Sequence, residues 1–328
     1  MFKHIKGHNM QRRDFIKGSA IVGASLASAK LVSDSGIVSA TTSRKVHRII
    51  QADRTKVGTL PILRAFAGDH TDYVSPYVLL DEFGPVAVEQ GADPLRVDAH
   101  PHAGVTPTTY FLKGSGHHKD SLDYDFQIGE GDFMMFNSGK GAIHMEESGQ
   151  KLHDEGGVYH GFQIWLNMPS QYKMVDPTTT VNRTEDFGRL ESDQFTVKIM
   201  LGELLGQKSS VPTLADAFYY HVILKENGRI TIPTNPQHNA MVYSISGDTE
   251  LIDQKSLAKN QIVLYQRGDS DIELYSKSGA ELLVLGGMPL DERVYSYGPF
   301  VMNTQQQIQQ CIQNYNSGKM GNPELVNL

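Results

Sequence analysis

The sequence predicts an all-β protein, two barrels of one kind in tandem followed by a C-terminal helix. Three observations carry this. First, short β-rich segments such as Tyr77-Val78-Leu79-Leu80, Thr108-Thr109-Tyr110-Phe111-Leu112, Phe133-Met134-Met135-Phe136 and Phe162-Gln163-Ile164-Trp165-Leu166 alternate with glycine turns at 114–116, 129–131 and 139–141. They fall at the roughly 8–12-residue spacing of sandwiches and barrels. Second, the pattern recurs over 218–224, 229–232, 241–245, 249–252, 262–264, 272–275 and 281–285, and Ser246-Gly247-Asp248 parallels Lys113-Gly114-Ser115. This reads as a duplication. Third, Ile308, Cys311, Ile312 and Tyr315 recur at helical spacing, with Thr304 as N-cap and Gly318 as stop.

The expected organisation is therefore an export signal at 1–40, a first barrel at 41–180, a second at 181–303, and a helix and tail at 304–328. The polar stretch 176–194, with three consecutive threonines, is expected to be the linker. Cys311 falls on the apolar stripe of the helix and should be a buried, inert thiol.

Composition excludes several classes. With 328 residues, 39% of them hydrophobic, the chain is long enough for two packed cores. A single cysteine rules out an intrachain disulfide and a cysteine zinc cluster. No apolar run reaches the roughly 18 residues of a membrane span. Residues 1–40 carry a balance of +4, which leaves −11 on the remainder. A body so acidic repels phosphate backbones, so nucleic acid is not an expected partner.

The basic start has its own meaning. Gln11-Arg12-Arg13-Asp14-Phe15-Ile16-Lys17 precedes a weakly apolar stretch, Gly18 to Ala29. Basic, then apolar, then small residues is the layout of a secretory signal, and the paired arginines resemble a twin-arginine export signal. Cleavage is expected after Ala29 or Ala40, with a periplasmic destination. That route carries folded proteins, and a protein folded in a reducing compartment has no use for disulfides.

Two segments carry the chemistry: Asp98-Ala99-His100-Pro101-His102-Ala103-Gly104 and Gly141-Ala142-Ile143-His144-Met145-Glu146-Glu147. In a strand, residues two apart share a face, so His100 converges with His102 and His144 with Glu146. Three imidazoles and one carboxylate would then surround a point, leaving two positions of an octahedral ion open. Imidazole suits Fe, Ni, Cu or Zn, and the hard carboxylate favours iron or manganese.

These segments resemble the pirin family of the cupin superfamily, from about residue 46 to 321. The resemblance rests on Leu80-Asp81-Glu82-Phe83-Gly84-Pro85, His100-Pro101-His102-Ala103-Gly104, His118-Lys119-Asp120-Ser121, Gly139-Lys140-Gly141-Ala142-Ile143-His144-Met145-Glu146, Gly161-Phe162-Gln163-Ile164-Trp165-Leu166-Asn167-Met168-Pro169 and Tyr297-Gly298-Pro299-Phe300-Val301-Met302-Asn303-Thr304. It implies a bicupin of two stacked jelly-roll β-barrels. One metal would sit in the first barrel, usually Fe2+ and alternatively Ni2+, Cu2+ or Mn2+, held by residues matching His100, His102, His144 and Glu146. Some bacterial members show quercetin 2,3-dioxygenase activity. Eukaryotic members are nuclear co-regulators linked to iron redox state, a role that export would preclude.

The chain departs from the family pattern in places. Ala103 and Thr106 stand where the family usually has Arg and Glu, and both positions are expected beside the metal ligands. Lys140 replaces an Arg, and Met145 replaces a Ser between the last two ligands. His221 and His238, single histidines of the second barrel, are expected to be structural. The leading expectation is a metal-dependent dioxygenase, a monomer, taking a small aromatic substrate with adjacent oxygens and O2. Glu146 would act as catalytic base, and Phe111, Met134 and Phe136 would either line the pocket or belong to ordinary barrel core. The alternatives are a non-enzymatic metal or redox sensor that binds a partner protein, and a cupin isomerase or hydrolase that consumes no O2.

Overall fold

The structure, a computed structural model, describes residues 42–68 and 71–326. The twin-arginine motif and both cleavage positions lie outside the described residues. Residues Thr41–Leu328 form one compact unit.

The first barrel closes a four-stranded sheet against a seven-stranded one. The four-stranded sheet runs Arg96–His102, Ala142–Ser148, Gly116–Asp120, Asp125–Ile128. The seven-stranded sheet is centred on Val105–Lys113, Gly157–Asn167 and Tyr77–Val88. The second barrel is a single nine-stranded sheet whose long antiparallel strands Ala217–Pro233 and Asp271–Gly287 bend through both faces. Period-two burial explains why these segments are strands. Along Ala217–Pro233, buried Ile230 and Ile232 alternate with exposed Arg229 and Thr231.

The barrels stack sheet to sheet. Tyr110, Phe162 and Ile164 of the first pack with Tyr219, Tyr243, Leu283 and Leu285 of the second in one core. Polar links cross the same layer: the Tyr77 hydroxyl donates to the Phe218 carbonyl at 2.7 Å, and the Tyr243 hydroxyl donates to Glu82 Oε2 at 2.5 Å.

Chain order and spatial order differ at both ends. The strand Val46–Gln51 pairs with Gln261–Tyr265 in the sheet of the second barrel. Residues 300–326 return to the first barrel, where Phe300, Met302, Ile308, Cys311, Met320 and Val326 pack on Ala103, Ile143 and Met145. The helix Gln305–Asn316 has its expected cap: Thr304 Oγ1 accepts from the Gln307 N–H at 3.1 Å. Gly318 follows with a φ of +74°. The barrels do connect within the stretch expected to be a linker, but only residues 183–187 lie between their strands. Thr178–Asn182 is an edge strand paired with Phe133–Asn137, and Gly188–Glu191 already belongs to the other sheet. Consecutive threonines are β-branched and fit a pleated surface better than an open connection.

Candidate metal centre

The four-stranded sheet positions every expected ligand. His144 lies opposite His100 in the ladder, and Ala142 opposite His102. The pairing then slips, so that Glu146 faces Val97. Within this bulge His100 Nδ1 donates to the Asp98 carbonyl, two residues back, at 2.8 Å. The donor is assigned because a carbonyl only accepts. The lone pair of His100 is thereby left on Nε2, 3.1 Å from His144 Nε2.

The three rings crowd together, with centroids 4.5 Å apart for His100 and His144 and 4.9 Å for His102 with either. His102 is 1% exposed and His144 is 0% exposed. Neither ring nitrogen of His102, nor Nδ1 of His144, has a hydrogen-bond partner. Unpaired imidazole nitrogens at such depth are costly unless something else takes their lone pairs. A metal ion fits. Two nitrogens at right angles and each about 2.1 Å from one ion stand about 3 Å apart. Burial, reinforced by the neighbouring imidazoles, holds His102 and His144 well below the ordinary histidine range, and burial lowers His100 too. The rings therefore stay neutral, the form that ligates.

Glu146 is held at both oxygens. Thr109 Oγ1 donates to Oε1 at 2.7 Å, and Gln163 Nε2 donates to Oε2 at 2.8 Å. The sequence does not reveal these two partners, which come from the opposite sheet. Trp165 sets its ring edge-on to His102 at 4.8 Å, and Phe136 stacks on His144 at 4.7 Å.

A cavity of about 380 Å³ opens on this cluster. His100, His102 and Glu146 are at its polar part, and Leu60, Ile62, Phe83, Phe111 and Ile128 supply apolar wall. Arg64 lies in the same wall, tied to Asp81 by two hydrogen bonds of 2.8 and 2.6 Å. An apolar cavity of several hundred Å³ with a few convergent polar groups is the usual form of a small-molecule site. Phe111 lines it. Met134 instead packs in the core beside Phe111, and Phe136 backs His144.

The positions that depart from the family pattern do not sit beside the ligands. Ala103 and Met145 point to the outer face, among the residues under the C-terminal helix. Thr106 is on the opposite strand face from Thr109 and donates to Asn137 Oδ1 at 2.8 Å. The two-residue period separates them from His102, His144 and Glu146. Lys140 forms an exposed ion pair with Asp176. In the second barrel, His221 bridges Tyr110 and Glu281 at 2.9 Å each, and His238 lies 3.3 Å from Asp216.

One residue joins the cluster that spacing did not single out. A ring nitrogen of His118 lies within 4.8 Å of ligand atoms of His144 and Glu146, just as those of His100, His102 and His144 lie within 4.8 Å of one another. Its signal was the alternation His118-Lys119-Asp120, interpretable only once Gly116–Asp120 is paired with Ala142–Ser148.

Two stacked barrels with a histidine cluster in the first define a cupin of the two-barrel class. A family model described as pirin matches residues 59–166, and one described as the pirin C-terminal cupin domain matches residues 219–321. A pirin-like protein of Solanum lycopersicum is 30% identical over 79% of this chain and 87% of its own length. Pirin of Homo sapiens is 30% identical over 76% of this chain and 83% of its own. The crystal structure of quercetin 2,3-dioxygenase from Acinetobacter baumannii aligns with a TM-score of 0.83 at 26% identity, covering 86% of this chain and 100% of that one. The chain belongs to the pirin family.

Proposed function

We propose that this protein is an iron-dependent dioxygenase that opens a flavonol-like aromatic substrate with O2, the metal being held by His100, His102, His144 and Glu146. The observation that carries the reading is the apolar cavity that ends on His100, His102 and Glu146. Likeness to the quercetin 2,3-dioxygenase of A. baumannii supports the substrate class. Bound there, iron would polarise the substrate's adjacent oxygens and provide a path for electrons between substrate and dioxygen. The residues do the rest. Leu60, Ile62, Phe83 and Phe111 hold the flat ring system and exclude water. Thr109 and Gln163 fix the Glu146 carboxylate, and each oxygen keeps a further lone pair. Glu146 Oε1 or Oε2 is thus placed to take the substrate's hydroxyl proton.

The test is oxygen uptake by protein purified anaerobically and loaded with Fe2+. Quercetin should drive uptake, and Glu146→Gln should abolish it. Absence of uptake with every flavonol tried would refute the reading. We further propose export to the periplasm, supported by the Arg12-Arg13 segment. Arg12→Lys with Arg13→Lys should then hold the protein in the cytoplasm, and unchanged distribution would count against it.

A further inference from the structure

One row of polar side chains crosses the seven-stranded sheet inside the cavity. Arg64, on the strand Leu60–Ala67, is paired with Asp81, Asp81 with Gln163, and Gln163 with Thr109. Directly opposed strand residues share a face, and all four of these line the cavity. The rows on either side are apolar. Ile62, Phe83 and Phe111 form one, in register across Gly161, and Leu79 with Trp165 forms the other.

The polar row has two unlike ends. At one end, Thr109 and Gln163 donate to Glu146. At the other, Arg64 Nε and Nη2 donate to the two oxygens of Asp81 at 2.8 and 2.6 Å. Neighbouring strands are about 4.8 Å apart, so two spacings put Arg64 roughly 10 Å across the sheet from Gln163.

The ion pair leaves donors over. Nη1 of Arg64 donates to nothing among the described residues, and the side chain is 35% exposed where that of Asp81 is 5%. The guanidinium therefore presents N–H groups to the cavity from an otherwise apolar wall. Its charge is already met, because both oxygens of Asp81 accept in the fork geometry of an ionised carboxylate. A second carboxylate brought to Nη1 would meet the Asp81 charge beside it, whereas a neutral oxygen would not.

We propose that Arg64, held by Asp81, selects the substrate at the end remote from the metal by donating from Nη1 to a neutral hydroxyl oxygen on an aromatic ring. The proposal narrows the substrate class of the dioxygenase reading and rests on it. In a flavonol, the oxygens farthest from the adjacent pair that would meet the metal are the hydroxyls of the pendant ring. A flavonol hydroxylated there spans the row, with its rings against Phe83 and Phe111 and its far hydroxyl at Arg64. A flavonol whose pendant ring is bare covers the guanidinium without giving it an acceptor, and that costs affinity.

The experiment uses the full chain loaded with Fe2+ and kept free of O2, so that nothing turns over. Trp165, the single tryptophan, lines the cavity, and quenching of its fluorescence reads binding. Three probes are compared: quercetin, galangin, which lacks the pendant-ring hydroxyls, and a flavonol with a carboxylate on that ring instead. Wild type should bind quercetin about tenfold or more tighter than galangin, and tighter than the carboxylate. The double variant Arg64→Met with Asp81→Leu removes both charges together, and it should bind galangin at least as tightly as quercetin. Equal wild-type affinity for quercetin and galangin, tightest binding of the carboxylate, or a tenfold preference kept in the double variant would each overturn the proposal. If the double variant does not fold, the wild-type order of the three probes decides. Binding of flavonols without preference sinks the role of Arg64 alone, whereas no binding of any flavonol sinks the substrate reading with it.

Discussion

Lys173 donates a hydrogen bond to the carbonyl of Gly104 at 2.7 Å, two residues past His102. The same ammonium donates to Asn167 Oδ1 at 2.6 Å and to the Val301 carbonyl at 2.8 Å. One fully buried side chain thus ties the turn after the ligand strand to the end of the strand Gly157–Asn167 and to the C-terminal segment. Gly104 permits the close approach. Its φ is +72°, and a Cβ there would fall 2.1 Å from the Val301 carbonyl oxygen.

Lys173→Met should therefore remove three buried hydrogen bonds, although the Gly104 carbonyl still accepts from the Met168 N–H at 3.3 Å. Losing the donor to each of the other two acceptors costs about 1–3 kcal/mol, so a total of about 2 kcal/mol or more is expected. Urea unfolding of the metal-free protein measures it. A change under about 1 kcal/mol would show that the acceptors find other partners.

Thr109→Val keeps the shape of a buried residue but removes the donor to Glu146 Oε1. Metal affinity should fall about tenfold while the fold persists, since groups that orient ligands contribute on that scale. Titration with Ni2+ or Co2+, alongside a circular dichroism spectrum, reads both effects.

Acid should destabilise the metal-free protein through His102 and His144. Their folded-state values lie well below 6.5 because burial opposes the charged ring. As pH falls below about 6.5, the unfolded chain gains protons that the folded chain refuses, so stability drops. Above that pH these rings change nothing. Urea midpoints should decline from pH 6.5 to 5, and less steeply in the double variant His102→Gln with His144→Gln.

Cys311 should be silent in the native protein. It is 3% exposed, and burial pushes its thiol up to about 11. At pH 8 a thiol reagent should label it only after unfolding. Prompt labelling of native protein would mean that the C-terminal helix opens readily.

The ligand pairs are readable in sequence because spacing within one strand is local. His100 with His102 and His144 with Glu146 need only a two-residue period. Thr109, Gln163 and His118 require knowing which strands are neighbours, and that depends on pairings between distant segments. The same limit explains the overlong linker and the misjudged Thr106. A run of threonines looks polar in one dimension, yet it is an edge strand once Phe133–Asn137 lies beside it. Thr106 is near His102 in sequence but turned to the other side of its sheet. The C-terminal helix was readable from its apolar stripe and Thr304 cap, but not the surface it covers.

That surface sets an order of events during synthesis. Ile143 and Met145, between and beside the candidate ligand side chains, are covered by Phe300, Met302, Ile308 and Met320, which are made well after them. Each such apolar group contributes about 1.5–3 kcal/mol when buried. While the chain is still on the ribosome, the back of the ligand sheet is bare and the cluster lacks its support. A product ending before residue 300 would carry all four expected ligands without the cover of their sheet, and it should be a poor chelator.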